Sequence, residues 1–397
     1  MSALPLLIGF LASLGGALVL VPAARQLALA VGWVDAPDGH RKVHGTPVPN
    51  VGGLGIVGGT LIGLGTLAAL DGAGLLSVGE AFPSLLWLVG AVSISAVGFL
   101  DDRVDLSPWI RLAAQLGVTV LVFVDGARID LLDGVLGGGA LALGVSFVLT
   151  AIWMVGMMNA VNLIDGLDGL AAGSVAVALG GLTAAYVLHG SVGAILLAAV
   201  LLGAIGGFLR YNCAPASVFM GDSGSLFLGF SLAAYGLYGT AHTDPVLDLV
   251  VPAVVMGVPV LDTAISILRR LLTRRSLFAP DKDHLHHRLA SRMAPEAAVR
   301  VLWGLSLFLA LGGVAMSALP AGAALLVFAA GTIVIYDLLS RVRYLPSPAH
   351  VRERLQRRRA LRADRAQPTV PVAPPDLPPR AGVVRNDRFQ PASGPER

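Results

Sequence analysis

Long apolar runs, each close to the length of a membrane-spanning helix, recur from one end of the chain to the other. A spanning helix needs roughly 20 apolar residues, and eleven stretches approach that length. They are residues 3–24, 51–70, 83–100, 109–125, 139–158, 167–188, 191–209, 224–241, 246–268, 300–318 and 321–339. The pattern therefore predicts an all-α integral membrane protein, a polytopic bundle of about eleven transmembrane helices.

Composition supports this class, because 55% of the 397 residues are hydrophobic and only 13% are charged. The single cysteine, Cys213, excludes a disulfide framework within the chain. No basic residue precedes the first apolar run, so we interpret it as a spanning helix rather than a cleaved signal peptide. We expect a membrane-embedded domain over residues 1–340. Residues 341–397, rich in Pro and Arg, are expected to form a basic, disordered cytoplasmic tail.

Basic residues fall mainly on one side of the predicted bundle. The loops after the odd-numbered segments contain Arg25, Arg41, Lys42, Arg103, Arg210, Arg269, Arg270, Arg274, Arg275, Lys282, Arg288 and Arg292. Of the remaining loops, only 126–138 carries a basic residue, Arg128. Cytoplasmic loops are enriched in Lys and Arg, so we expect the N-terminus outside and the C-terminus in the cytoplasm. The polar motifs described next all lie in the predicted cytoplasmic loops.

Four amide or carboxylate side chains, spaced three residues apart, follow the fifth apolar run. They are Asn159, Asn162, Asp165 and Asp168. Each three-residue step drifts about 60° around a helix, so an unbroken helix could not direct all four at one ligand. Gly166 and Gly169 predict where the helix breaks. Helix capping beside glycine would explain one or two of the four, and the full set favours a site for phosphate and metal.

A pair of carboxylates, Asp101 and Asp102, ends the third apolar run. Such a pair suits a cation, or a base next to a phosphate group. Asp101 and Asp105 would share a helix face if the helix continued. The alternative interpretation is a solvated loop in which Arg103 is the counter-ion.

The sequence Gly-Asp-Ser-Gly-Ser at 221–225 precedes another apolar run. Three interpretations of Asp222 stay open. The start of the helix could bind an anion through its free N–H groups, the carboxylate could hold a cation that bridges to phosphate, or the aspartate could be an N-cap.

Three histidines and an arginine form the last polar motif. His284, His287 and Arg288 are spaced to share one helix face, with His286 between them. Three histidines are also typical of zinc sites. Lys282 and Arg288 favour phosphate binding instead, because cationic donors bind phosphate oxygens strongly. A solvated basic loop remains an alternative.

A further basic stretch contains Lys42 and His44, which could contact an anionic head group or form a membrane-proximal loop without function. The sequence has no Gly-x-x-x-x-Gly-Lys-Ser/Thr loop, which argues against ATP-driven transport. It also lacks a Gly-x-Ser-x-Gly elbow and a His-Glu-x-x-His pair.

Together the motifs resemble those of the polyprenyl-phosphate N-acetylhexosamine-1-phosphate transferases, an integral-membrane family that includes phospho-N-acetylmuramoyl-pentapeptide transferase. The resemblance lies in residues 99–102, 159–169, 219–225 and 284–289, in the family's order, and extends over roughly residues 1–340. The His-Leu-His-His-Arg-Leu form is similar to the branch that uses UDP-N-acetylglucosamine (UDP-GlcNAc). The muramoyl-pentapeptide branch has three consecutive histidines followed by Phe-Glu, whereas Leu285 interrupts the run here. The muramoyl-pentapeptide donor of that branch therefore stays as an alternative to UDP-GlcNAc.

The resemblance implies transfer of GlcNAc-1-phosphate from UDP-GlcNAc to undecaprenyl or decaprenyl phosphate, with release of UMP, at a bacterial plasma membrane. It implies Mg²⁺, or alternatively Mn²⁺, held by Asn162 and Asp222. Asp101 or Asp102 would deprotonate or position the lipid phosphate. Asp165 and Asp168 would line the nucleotide pocket. The implied substrate-binding residues are Lys42, His44, Asn159, His284, His286, His287 and Arg288. The partners are the two substrates and the lipid bilayer, without nucleic acid, and a homodimer is left open.

A secondary transporter is the rival from another class, because acids within a membrane can mark ion pathways. Such acids usually lie near the bilayer midplane, often within inverted repeats. Here they cluster at one predicted face, and no repeat is visible in the sequence. The pattern therefore favours the enzyme.

Overall fold

The structure is a computed structural model, and it describes residues 3–34, 48–79, 82–189, 194–239, 245–273, 283–342 and 344–345. Across these ranges the chain forms fourteen helices and no β-strand, which confirms the predicted all-α class. The predicted tail, 341–397, lies almost entirely outside the described residues, as do Lys42 and His44.

The helices follow one another with short connections. Their bounds are α1 Ala3–Val31, α2 Gly52–Gly72, α3 Leu85–Val104, α4 Pro108–Val124, α5 Asp133–Leu136, α6 Gly139–Ile164, α7 Leu170–Leu188, α8 Ile195–Asn212, α9 Gly221–Tyr238, α10 Pro245–Val255, α11 Gly257–Leu272, α12 Leu285–Ala290, α13 Pro295–Ala318 and α14 Ala321–Arg341.

Each of the eleven predicted segments coincides with a helix or a pair of helices, but fewer of them have the character of a membrane span. Among the described residues, eight helices are long and apolar enough to cross a bilayer, or nine if α10 and α11 form one bent span. The predicted number of eleven is therefore not confirmed. α4 has only 17 residues, and α9 begins with the polar 221–225 sequence.

α9 is the central helix of the bundle. Helices α2, α3, α6 and α7 pack around it, and every side chain from Ser223 to Leu237 is buried. Because α9 faces protein on all sides, it can carry three buried serines without exposing them to lipid. The outer helices differ, since large apolar side chains such as Leu7 on α1 and Leu326 on α14 are exposed. These outward faces suit the hydrocarbon core of a bilayer.

Glycines bring α2 and α3 into backbone contact with the start of α9. A Cβ atom on Gly53 of α2 would collide with the backbone of Gly224, and one on Gly98 of α3 would collide with the backbone of Asp222. Small residues at such crossings let helix backbones approach closely. The two contacts fix where Asp222 lies relative to the end of α3.

The predicted span 246–268 is not one straight helix. α10 ends at Val255, and α11 begins at Gly257 with its axis turned by 91°. Pro259 lacks the N–H that a continuous ladder would need, and Gly257 offers no side chain to resist the turn. One face of α11, including Asp262, Ser266 and Arg269, is buried, whereas Leu268 is exposed. The break thus turns α11 nearly perpendicular to α10.

Candidate active site

Two connections run side by side at one end of the bundle. The segment that leads into α2 pairs with the segment that leads into α9: the Phe219 N–H donates to Pro49 O at 2.8 Å, and the Gly52 N–H donates to Phe219 O at 2.9 Å. The Gly53 N–H donates to Met220 O at 2.8 Å. This pairing holds the 221–225 motif next to the end of α3.

The carboxylate of Asp102 caps the start of α9. Its Oδ1 atom accepts the Asp222 N–H at 3.1 Å, and its Oδ2 atom accepts the Ser223 N–H at 3.4 Å. Asn50 donates to the same Oδ1 atom at 3.3 Å. A carboxylate is favoured at a helix N-terminus, where free N–H groups and the helix dipole attract negative charge. Asp102 therefore takes the place of the external anion that was one interpretation of this motif, and Asp222 is not the N-cap.

Asp101 has a different environment from its neighbour. It is 6% exposed, and its oxygens accept hydrogen bonds from Arg111 at 2.9 Å and from the Leu106 N–H at 2.8 Å. α3 ends at Val104, and Asp105 adopts a positive φ of 50°. The idea that Asp101 and Asp105 share a continuing helix face is therefore wrong. The bonds of Asp101 hold the turn between α3 and α4.

Arg103 and Arg111, the two arginines near this turn, have different partners. Arg103, interpreted as the counter-ion of the acidic pair in the solvated-loop alternative, has its guanidinium over the rings of Trp33 and Phe99, at 4.6 and 4.8 Å from their centroids. Its Nη1 atom donates to Asn50 Oδ1 at 3.1 Å. Arg111 pairs with Asp101 instead and lies 4.0 Å from Asp222 Oδ2. The sequence offered no signal for Arg111 beyond its position at a predicted helix end.

The four-residue polar motif is divided by a helix break, as predicted. α6 continues to Ile164, so Asn159 and Asn162 are helical, and Gly169 precedes α7 with a φ of 77°. The Asn162 Nδ2 atom donates to Asp222 Oδ1 at 2.7 Å and to Ser225 Oγ at 2.9 Å. Side chains 60 residues apart in sequence are thereby joined.

The outer members of the same motif have structural partners. Asn159 donates to Gln115 Oε1 of α4 at 2.9 Å. Asp168 Oδ2 accepts the Ala216 N–H at 2.9 Å and so anchors the connection that leads into α9. Asn212, which sequence reasoning did not select, accepts the Gly169 N–H at 3.0 Å.

Asp165 follows the last residue of α6 and lies among like charges. Burial raises the pKa of its carboxyl to about 7, and the nearby charges of Asp222 and Asp102 add to the increase. Because repulsion among carboxylates is relieved by a cation, this arrangement suits a positively charged ligand.

The histidine motif contacts the helix break between α6 and α7. A Cβ atom placed on Gly166 would lie 2.5 Å from the Nε2 atom of His286, so these two residues touch. The rings of His284 and His286 stack with centroids 5.7 Å apart, and His286 and His287 are 4.2 Å apart. The motif does not form the single helix face that its spacing predicts, because α12 begins at Leu285 and His284 precedes it.

His286 is held in a neutral state. Its side chain is 2% exposed. Burial lowers its pKa to about 3, and the neighbouring His287 adds to this decrease. His286 can therefore offer a neutral N–H or a lone pair to a ligand, and Arg288, which lies 3.6 Å from Asp283, brings a permanent positive charge to the cluster.

Comparison with known proteins identifies the family of the chain. The profile described as "Glycosyl transferase family 4" matches residues 84–240. The chain is 37% identical, over 72% of its own length and 77% of the relative, to the "probable undecaprenyl-phosphate N-acetylglucosaminyl 1-phosphate transferase" of Bacillus subtilis. The chain belongs to this family of polyprenyl-phosphate N-acetylhexosamine-1-phosphate transferases.

Other relatives of the transferase have similar names. The "decaprenyl-phosphate N-acetylglucosaminephosphotransferase" of Mycobacterium tuberculosis is 37% identical over 67% of this chain and 70% of the relative. The "undecaprenyl-phosphate alpha-N-acetylglucosaminyl 1-phosphate transferase" of Escherichia coli K12 is 29% identical over 66% of this chain and 71% of the relative. With its apolar helices and bacterial relatives, the transferase is a multi-pass bacterial membrane protein.

The oxygen donors of the transferase fit a magnesium ion. Both hydrogen bonds of the Asn162 amide use Nδ2, which leaves Oδ1 as the atom that could bind a cation. Mg²⁺ prefers carboxylate and amide oxygens and is commonly held by one or two protein ligands together with substrate phosphates. Within the described ranges, no group of three or more His, Cys, Asp or Glu side chains is arranged to hold a metal. A magnesium site built from Asn162 and Asp222 does not require such a group, because substrate phosphates would supply the other ligands.

Sequence reasoning missed one acid that contacts the histidine motif, Asp262 of α11. Its Oδ2 atom lies 3.0 Å from the Nδ1 atom of His284, and its Oδ1 atom accepts the Leu285 N–H at 2.8 Å. A signal was present, because Asp262 is the one acid between residues 249 and 280 and stands within an apolar segment. An ionisable residue in such a segment is usually functional.

Proposed function

We propose that the protein transfers GlcNAc-1-phosphate from UDP-GlcNAc to a polyprenyl phosphate and releases UMP. The contact between Gly166 and His286 carries this proposal, because it joins the acidic cluster around Asp222 to the cluster around Arg288. A diphosphate needs both kinds of group, cationic donors for its oxygens and acids that hold a bridging cation. The names of the relatives support the choice of GlcNAc and of a polyprenyl acceptor.

In the proposed reaction, an oxygen of the polyprenyl phosphate attacks the phosphorus that carries the sugar. A new P–O bond forms to the lipid phosphate, and the bond from that phosphorus to the bridging diphosphate oxygen breaks, so UMP leaves with its electron pair. Phosphoryl transfer depends mainly on positioning and on neutralising charge. The product is polyprenyl-diphospho-GlcNAc.

Mg²⁺ bound by Asn162 and Asp222 would neutralise charge on the diphosphate, and Mn²⁺ prefers the same oxygen ligands. Asp102 is the better candidate to position or deprotonate the lipid phosphate. It lies next to Asp222 at the start of α9, whereas Asp101 is buried and paired with Arg111. Asp165 would line the nucleotide side of the site.

The histidine cluster would hold the diphosphate of the donor. Arg288 supplies a fixed positive charge with several donors, and the neutral His286 supplies a hydrogen bond close to the α6–α7 break. We further propose that this end of the bundle faces the cytoplasm, since the basic residues concentrate there.

UMP release tests the proposed function. Purified protein in lipid nanodiscs is supplied with Mg²⁺, undecaprenyl phosphate and one of three donors: UDP-GlcNAc, UDP-GalNAc or UDP-MurNAc-pentapeptide. We expect UMP release with UDP-GlcNAc that requires both the acceptor and the metal ion. Release with the muramoyl donor alone would move the protein to the other branch of the family. A transporter would release no UMP with any donor.

A further inference from the structure

A buried carboxylate lies behind the histidine cluster. Asp262 is 2% exposed, and its side chain accepts hydrogen bonds from the His284 ring, the Leu285 N–H and the Tyr344 hydroxyl. The His286 Nδ1 atom lies 4.0 Å from the same carboxylate. A charged group this deeply enclosed is stable only when its oxygens are paired. Asp262 therefore joins α11 to the histidine motif and to the residues after α14.

Tyr344 is the second part of this arrangement. It follows the end of α14 and is 1% exposed. Two guanidinium groups lie over its ring, that of Arg269 at 5.0 Å and that of Arg288 at 5.8 Å from the ring centroid. Stacking on an aromatic face restrains an arginine without using the N–H groups that bind phosphate. Tyr344 thus contacts Asp262 through its hydroxyl and Arg288 through its ring.

We propose that Asp262 and Tyr344 are positioning residues that orient His284 and Arg288 toward the diphosphate of the donor, an inference that rests on the proposed function. An ionised carboxylate only accepts hydrogen bonds, so Nδ1 of His284 must carry a proton. Nε2, on the other side of the ring, is then left for the ligand. Tyr344 holds the carboxylate in place and supports the guanidinium of Arg288.

A purely structural role is the alternative, in which Asp262 only ties α11 to α14. The two roles differ in what Asp262→Asn does. The amide keeps the shape of the carboxylate, but it presents an NH₂ group to His284, so Nδ1 must accept and the proton moves to Nε2. We expect kcat/KM for UDP-GlcNAc to fall about tenfold or more, with the KM for polyprenyl phosphate unchanged.

Asp337→Asn is the matched control for this variant, because Asp337 is an exposed acid of α14 that pairs with Arg341. It should leave both kinetic constants unchanged. Equal rises in the KM of donor and acceptor in Asp262→Asn would indicate general distortion and overturn a positioning role.

A double-mutant cycle separates the two roles further. If Asp262 acts through His284, Asp262→Asn should have little additional effect on kcat/KM in a His284→Gln background. A structural role predicts instead that the two losses multiply. Multiplied losses would overturn the inference, and a comparison of unfolding temperatures shows whether each variant remains folded.

Tyr344 is tested by a graded pair of substitutions. Tyr344→Phe keeps the ring and removes the hydroxyl, so we expect kcat/KM for UDP-GlcNAc to fall about three- to tenfold. Tyr344→Leu removes the ring as well and should have the larger effect. Tyr336→Phe, on the exposed surface of α14, is the control. Equal activity of the wild type and Tyr344→Leu would contradict the role of Tyr344.

A spectroscopic measurement keeps the inference testable without turnover. In ¹⁵N-histidine NMR of the full-length protein, the signal lost in His284→Gln identifies His284, and we expect its Nδ1 to be protonated. Asp262→Asn should move the proton to Nε2. An unchanged tautomer would overturn the inference, whereas absence of UMP release by the wild type would count against the proposed function only.

Discussion

Neighbouring carboxylates at the candidate site differ in role because their partners differ. Asp101 is neutralised by Arg111 and holds a turn, and Asp102 caps α9. Asp165 and Asp222 lie close to other carboxylates, and of these two only Asp222 has Arg111 nearby, at 4.0 Å. Repulsion between carboxylates destabilises the folded protein until a cation binds. We therefore expect the carboxylates of Asp222 and Asp165 to contribute little to the stability of the metal-free protein.

Asp222→Asn tests this expectation. We expect UMP release to fall at least a hundredfold, because one of the two proposed Mg²⁺ ligands is weakened. The unfolding temperature in metal-free buffer should stay the same or rise, since one repelling charge is gone. In the wild type, Mg²⁺ should raise the unfolding temperature, and in the variant it should do so less.

Asp130→Asn is a suitable control for Asp222→Asn. Asp130 pairs with Arg128 and Ser146 in the connection before α6, away from the residues of the candidate site. Its variant should keep both UMP release and the Mg²⁺ effect. Normal turnover of Asp222→Asn would remove Asp222 from the metal site.

His286 gives a prediction about pH. Burial lowers its pKa in the folded protein to about 3, below the value of about 6.5 for an exposed histidine. Between these two values the unfolded chain binds one more proton than the folded chain, so stability rises with pH. The contribution of neutral His286 to the free energy of unfolding is complete above about pH 6.5. It is lost as pH falls below this value, by about 1.4 kcal/mol per pH unit.

The slope can be measured by unfolding the protein in detergent between pH 4 and 7. His286→Gln should reduce the dependence of the unfolding free energy on pH in this range. An identical slope in the wild type and the variant would show that His286 is not the group responsible.

At the scale of single helices, apolar pattern predicted where helices occur better than where they end or bend. The fifth apolar run stops at residue 158, yet α6 continues to Ile164, because its polar last turn faces Asp222 and Ser225 rather than lipid. α9 was predicted as the span 224–241, but it is not among the described helices that are apolar enough to cross a bilayer, and it faces protein on all sides. The 91° turn before α11 depends on Gly257 and Pro259, which an averaged hydropathy does not register.

Close packing of α3 on α9 leads to a prediction at this scale. A Cβ atom on Gly98 would meet the backbone of Asp222, so Gly98→Ala should displace the start of α9. We expect UMP release to fall at least tenfold and the unfolding free energy to decrease by about 1–3 kcal/mol, as overpacking typically costs.

Gly117→Ala is the matched control, because a Cβ atom at Gly117 of α4 has no neighbour within 4 Å. Replacing an unobstructed helical glycine by alanine stabilises a helix by roughly 0.5–1 kcal/mol. If Gly98→Ala behaved like Gly117→Ala in both measurements, the α3–α9 contact would not set the geometry of the site.

For the molecule as a whole, the sequence revealed the motifs but not the links between them. Asp102 and the Asp222 N–H are 120 residues apart, and Tyr344 reaches Asp262 across 82 residues. The motif residues stood out because polar groups are rare between apolar runs. Arg111 and Tyr344 did not, because an arginine or tyrosine at a helix end is common and only its tertiary contacts distinguish it.

The orientation of the whole bundle can be tested with the natural cysteine. Cys213 is exposed and lies in the connection between α8 and α9, at the end of the bundle that we propose to face the cytoplasm. Partial burial and Asp168 raise the pKa of its thiol. Because the thiolate is the reactive form, labelling should be carried out near pH 8.5. A membrane-impermeant maleimide should label Cys213 in inside-out vesicles and not in intact cells.

Leu132→Cys in a Cys213→Ser background supplies the opposite case. Leu132 is exposed in the connection between α4 and α5. This connection follows the C-terminal end of α4, whereas Arg111 lies in the first turn of α4 and pairs there with Asp101 of α3. Its cysteine should be labelled in intact cells. If labelling of intact cells occurred at Cys213 and not at residue 132, the acids and histidines would face away from the cytoplasm. A nucleotide sugar made inside the cell could not then reach them, and the proposed donor would have to be abandoned.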